Sequence, residues 1–103
     1  MTWTAATKAE VECEILRERE AAIPENLALL DQYAVDPYPV ILEREGDEQA
    51  FVVARSATHV VYFEDVEEIF GTAREVGGRL VDCAMYGPLV LAVRVLHFEL
   101  PSA

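Results

Sequence analysis

A chain of 103 residues, 52% of them hydrophobic, has the apolar content for one folded core and excludes a disordered segment. Nineteen acidic residues face eight basic ones, a formal net charge of −11, and Lys8 is the only lysine. Such a field repels phosphate backbones and anionic lipid, so it argues against nucleic-acid and membrane-surface binding and favours a basic protein partner.

In chain order, Thr4 or Thr7 can cap a helix running to about Ala22. Ala6, Ala9, Cys13 and Leu16 fall at helical spacing and predict its buried stripe, widened by Ile15. Glu10–Glu14 and Glu14–Glu18 are like-charge pairs one turn apart, so this helix is weak alone and must be held by packing. Pro24 fits the first position of a second helix, with Leu27, Leu30 and Ala34 on one stripe and Leu29 and Tyr33 beside it. The helical region is thus residues 4–35. Asp36-Pro37-Tyr38-Pro39 follows as an extended stretch, because a residue before proline is pushed out of the helical region.

From Val40 the period changes to two. Val40 to Arg44, Gln49 to Ser56, and Thr58 or His59 to Phe63 predict three strands, with Gly46-Asp47 as the first turn. The runs Phe51-Val52-Val53-Ala54 and Val60-Val61-Tyr62-Phe63 are nearly continuous rather than alternating, so both sheet faces are expected to be covered. Residues 65–75 admit two readings. A capping box of Asp65 with Glu68 would open a helix presenting Val66, Ile69, Phe70 and Ala73. An acidic turn followed by a strand from Ile69 to Arg74 is preferred, because Gly71 and Thr72 weaken so short a helix. Gly77-Gly78 is a turn and Leu80 to Met85 a strand. Pro88 can open a last helix at its first position, with Leu89, Ala92, Val93 and Leu96 on one face; Val90, Val93 and Val95 keep a strand open there. The expected fold is a single α+β domain over 1–103. N-terminal helices pack on a mainly antiparallel sheet of four to five strands over 40–86, with a C-terminal helix within 88–100.

The two cysteines, Cys13 and Cys83, form no C-x-x-C and sit among apolar neighbours, which predicts mostly buried thiols in a reducing, cytoplasmic setting. The first residues show no basic and then apolar segment, so no signal peptide is expected, and no apolar window is long enough for a membrane span.

The densest chemistry is Glu64, Asp65, Glu67 and Glu68, directly after Val60–Phe63. A hard cation needs several converging oxygens, but neighbouring strand residues point to opposite faces and the D-x-D-x-D-G loop pattern is absent. A pair of carboxylates for acid/base work would need an apolar cleft to raise one pKa, and nothing here builds one. A solvated acidic turn offering a protein contact is the reading that remains, with no metal and no cofactor expected. His59 and His97 stand without ligand spacing, and a Cys83–His97 pair lacks any nucleophile signature. Gly77-Gly78 lacks the residues of a phosphate loop. Trp3 and Tyr38 can serve as interface anchors or as ordinary packing residues.

The stretches Phe51-Val52-Val53-Ala54, Val60 to Phe70 and Gly78-Arg79-Leu80 resemble a group of short bacterial proteins of unknown function. Their pattern is an F-V-V-A strand, a strand ending in D-[IV]-E-[DE]-G-F-N, and a G-x-I segment; the start Ile23-Pro24-Glu25-Asn26-Leu27 is similar too. Ile69 stands where glycine is usual and Gly71 where asparagine is usual. The resemblance implies a bacterial cytoplasmic α+β domain and carries no catalytic residues. Size, acidity and build are also similar to those of small acidic immunity proteins that neutralise secreted toxins. The expected function is therefore a non-enzymatic protein-binding module, with toxin neutralisation as its concrete form. A small-ligand or minor enzymatic domain, with its pocket between sheet and helices, and a structural homodimer are the alternatives.

Overall fold

The computed structural model describes residues 7–43, 47–64 and 67–100. Helix α1 spans Lys8–Ala21, and Thr7 caps it in a reciprocal box: its hydroxyl accepts from Glu10 N–H while the Glu10 carboxylate accepts from Thr7 N–H. The buried face of α1 differs from the expected stripe. Val11 is fully buried and Ile15 packs beside it, while Ala9, Cys13 and Leu16 are exposed. Val11 and Ile15, four residues apart, share the face that meets the core, whereas Ala9, Cys13 and Leu16 face away from it.

Helix α2 spans Pro24–Tyr33, with Pro24 in its first turn and Leu30 buried. Strand β1 begins directly after it, Ala34–Glu43, so the Pro37 and Pro39 stretch is already strand. Strand β2 is Asp47–Arg55; Asp47 opens this strand, and Gly46, its expected turn partner, lies outside the described residues. Strands β3 (Val60–Glu64), β4 (Ile69–Val76) and β5 (Arg79–Gly87) follow, and helix α3 is Leu89–Phe98. Residues 69–76 are therefore strand and 89–98 helix, the preferred reading at both ambiguous places. Pro88 is the residue that caps α3 rather than its first helical residue. Gly77 and Gly78 take φ of 59° and 80°, the left-handed conformation that a tight β4–β5 turn requires and that glycine adopts at no steric cost.

The strands run in the order β1-β2-β3-β4-β5 and close into a barrel. Four junctions are antiparallel; the fifth is a short parallel seam in which Ile41 and Leu42 of β1 face Arg79 and Leu80 of β5. Closure explains the continuous apolar runs. Period two sends Val40, Leu42, Ala50, Val52, Val60, Tyr62, Ala73 and Leu80 into the barrel. It sends Phe51, Val53, Val61, Phe63 and Phe70 outward, where Val11, Leu30, Leu89, Ala92, Val93 and Leu96 of the helices cover them. Each valine, leucine or phenylalanine among them contributes about 1.5–3 kcal/mol when fully buried.

Gly71 is fixed by packing. It pairs with Tyr62 across β3–β4, and a Cβ there would stand 2.4 Å from the Ala84 carbonyl oxygen and 2.8 Å from Tyr62 Oη. The fully buried tyrosine ring fills the volume that a side chain at residue 71 would need.

Candidate functional site

The acidic segment lies at the β3–β4 connection, and the structure divides it. Glu64 continues the inward alternation of Val60 and Tyr62 and is 1% exposed. One of its carboxylate oxygens accepts the backbone N–H of Glu67 at 3.4 Å, a long hydrogen bond that links the strand end to the turn. Glu67 and Glu68 are exposed, and Glu68 adopts φ of 56°. Asp65 lies outside the described residues. Burial thus removes Glu64 from any surface a partner could meet, and Glu67 and Glu68 carry what the described turn presents.

Most basic side chains are already engaged within the chain. Lys8 pairs with Asp36 at 2.9 Å, Arg17 with Glu14 at 2.9 Å, and Arg19 with Asp31 at 2.7 Å. Arg74 meets Asp82 at 3.3 Å, and Arg79 Nε donates to Glu43 at 2.8 Å. The hydrogen bond to Asp36 raises the Lys8 pKa, which favours its charged form. No cation pairs with Glu67 or Glu68 among the described residues.

A second polar arrangement was not visible in the sequence. Tyr38 Oη donates to Glu75 at 2.5 Å and accepts from Arg55 Nη1 at 2.9 Å. Burial, then the hydrogen bond to Glu75, pushes the phenol up to about 12, while the Arg55 charge pulls the other way. Tyr38, Arg55 and Glu75 come from three strands. Only the barrel brings them together, and Tyr38 acts as an internal tie rather than an exposed anchor. Trp3 lies outside the described residues.

The histidines are drawn into local structure. His59 Nδ1 lies 2.8 Å from Thr58 Oγ1, and its backbone N–H donates to Ser56 Oγ at 3.1 Å in the β2–β3 connection. His97 Nδ1 lies 2.5 Å from Tyr33 Oη, joining the ends of α3 and α2. Cys13 and Cys83 are both exposed, contrary to the expected burial. Cys13 lies on the solvent side of α1, and Cys83 stands on β5, whose residues from Asp82 to Met85 are mostly exposed.

Between sheet and helices lies a cavity of about 20 Å³ lined by Ile15, Leu30, Val53 and Leu89, the size of a single water. An open groove of about 320 Å³ runs between α1 and β1, with Leu16, Arg19, Val35 and Pro37 along it. Neither is lined by a histidine. Glu48, facing Leu42 across β1–β2, keeps its Oε2 buried without a hydrogen-bond partner among the described residues. No group of three or more His, Cys, Asp or Glu among the described residues is placed to hold a metal ion. No described helix is long and apolar enough to cross a membrane. Compared with known proteins, the chain matches no protein-family model, no curated protein and no solved structure.

Proposed function

We propose that this protein is a non-enzymatic protein-binding module whose acidic surface meets a basic surface on another protein, with Glu67 and Glu68 at the centre of contact. The observation that carries this reading is the exposed pair Glu67 and Glu68 on the β3–β4 connection, which no cation meets among the described residues. Buried strand residues precede the turn, the Glu64 carboxylate accepts the Glu67 N–H, and Lys8, Arg17, Arg19, Arg74 and Arg79 pair with other carboxylates. Exposed carboxylates complement guanidinium and ammonium groups, and the chain's −11 charge steers a cationic partner toward them. Neutralisation of a basic secreted toxin is the concrete form of this function, and the bacterial resemblance of the β3–β4 segment fits such a setting.

Capture from a lysate of the native host, followed by binding of the purified captured protein, tests the reading. A basic partner whose association slows steeply between about 50 and 500 mM salt is expected. A partner that is acidic, or one whose on-rate ignores salt, overturns it.

A further inference from the structure

Along one side of α1, Glu12, Ile15, Leu16 and Arg19 fall at helical spacing and line one groove with the first residues of β1. The groove holds about 320 Å³, a volume in the range of small-molecule sites. Val53, 4% exposed, lies at its base, and Leu16 and Pro37 stand along it. The groove does not end at the surface. It shares Ile15, Ala34 and Val53 with the enclosed cavity of about 20 Å³ that continues toward Leu30, Leu89 and Val93. An apolar group placed in the groove therefore meets apolar atoms beneath it as well as beside it.

The charges at its rim are unequal. Arg19 is engaged with Asp31 at 2.7 Å, and Lys8 with Asp36 at 2.9 Å. Glu12, exposed and one turn after Lys8, makes no ion pair among the described residues, so one ammonium answers two carboxylates. An anionic ligand finds both cations of this rim already paired and meets the −11 field, whereas a cationic ligand supplies the missing charge. We propose that the α1–β1 groove binds a small amphiphile with an apolar body and a single ammonium group. The body packs on Ile15, Val35 and Val53, and the ammonium lies beside Glu12. The site shares no residue with the β3–β4 turn and does not depend on the function proposed for that turn.

Hexylammonium is the probe, with hexanol and hexanoate as neutral and anionic controls of the same apolar length. Amide NMR titration of the full chain to about 20 mM of each reads the outcome. Saturating shifts at Ile15, Val35 and Val53 are expected for hexylammonium, with a Kd on the order of 1 mM. Hexanol is expected to bind at least about threefold more weakly and hexanoate at least about tenfold. Glu12→Gln is expected to abolish the preference for hexylammonium over hexanol while leaving hexanol binding unchanged. Glu67→Gln with Glu68→Gln is expected to leave that preference intact, which separates a local contact from the field of the whole chain. Ala34→Leu fills the groove and is expected to weaken hexylammonium at least about tenfold. If Ala34→Leu does not fold, Leu16→Ala, which removes an exposed wall, is expected to weaken it at least about threefold. Shifts that never saturate, hexanoate binding as tightly as hexylammonium, or a preference that survives Glu12→Gln overturns the proposal. So does a preference lost equally in the Glu67/Glu68 variant, or a foreign protein that binds through Leu16 and Ala34 to a chain that takes up no hexylammonium.

Discussion

Glu18 and Leu89, 71 residues apart, are joined by a 2.6 Å hydrogen bond from the Leu89 backbone N–H to the Glu18 carboxylate. Pro88, the capping residue of α3, has no side-chain acceptor, so α1 supplies from a distance the cap that α3 lacks. The carboxylate also sits at the positive end of the α3 dipole. Glu18→Ala is therefore expected to cost about 1–2 kcal/mol in urea unfolding, while Glu20→Ala, exposed on the same helix, stays within about 0.5 kcal/mol. Equal effects for the two variants would remove the capping role.

The close approach at Gly71 gives a second test. Gly71→Ala drives a methyl into the Ala84 carbonyl and the buried Tyr62 ring, and is expected to cost about 1–3 kcal/mol or more. Gly71→Ala combined with Tyr62→Phe, which removes the nearby hydroxyl, recovers only part of the loss, because the Ala84 carbonyl remains. Calorimetric unfolding of the two variants measures the difference.

Tyr38 fixes the alkaline behaviour. Its folded pKa lies at about 12, above the ordinary 10.0, so its contribution is fully present below pH 10 and lost as pH rises toward 12. In that window the unfolded chain has released a proton that the folded chain still holds, so stability falls with pH. Ultraviolet titration of the phenols is expected to show one tyrosine ionising near 12, and Glu75→Gln to lower that midpoint. A Tyr38 midpoint at the ordinary value would contradict the Tyr38–Glu75 tie.

The division of the acidic segment separates stability from surface. Glu64→Lys forces a cation into a site 1% exposed and is expected to destabilise by roughly 3 kcal/mol or more. Glu67→Lys with Glu68→Lys reverses the charge of two exposed side chains and is expected to leave the melting temperature nearly unchanged. Thermal unfolding of the two variants side by side decides this.

Much of the fold was legible because period dictates it. Phe51–Ala54 and Val60–Phe63 read as strands covered on both faces, and the barrel covers both, with side chains inside and helices outside. Leu89, Ala92, Val93 and Leu96 marked the buried face of α3. Closure was not legible, since the seam rests on two residue pairs, Ile41 with Arg79 and Leu42 with Leu80, that no local pattern announces. The buried face of α1 was misread because its apolar residues form two stripes, and only packing selects Val11 and Ile15 over Cys13 and Leu16. At the acidic segment, the inward turn of Glu64 was available in the sequence: the alternation of Val60 and Tyr62 leads to it directly. The Tyr38–Arg55–Glu75 tie and the Glu18 cap depend on tertiary contacts and carry no signature in the sequence.

The association rate of the purified captured protein reads out whether the acidic turn meets a basic partner. Stopped-flow mixing with the parent chain and with Glu67→Lys/Glu68→Lys measures it at low and high salt. The on-rate of the variant is expected to be at least about tenfold slower at about 50 mM salt, with the difference largely gone at about 500 mM. An on-rate equal for the two proteins at low salt would contradict it.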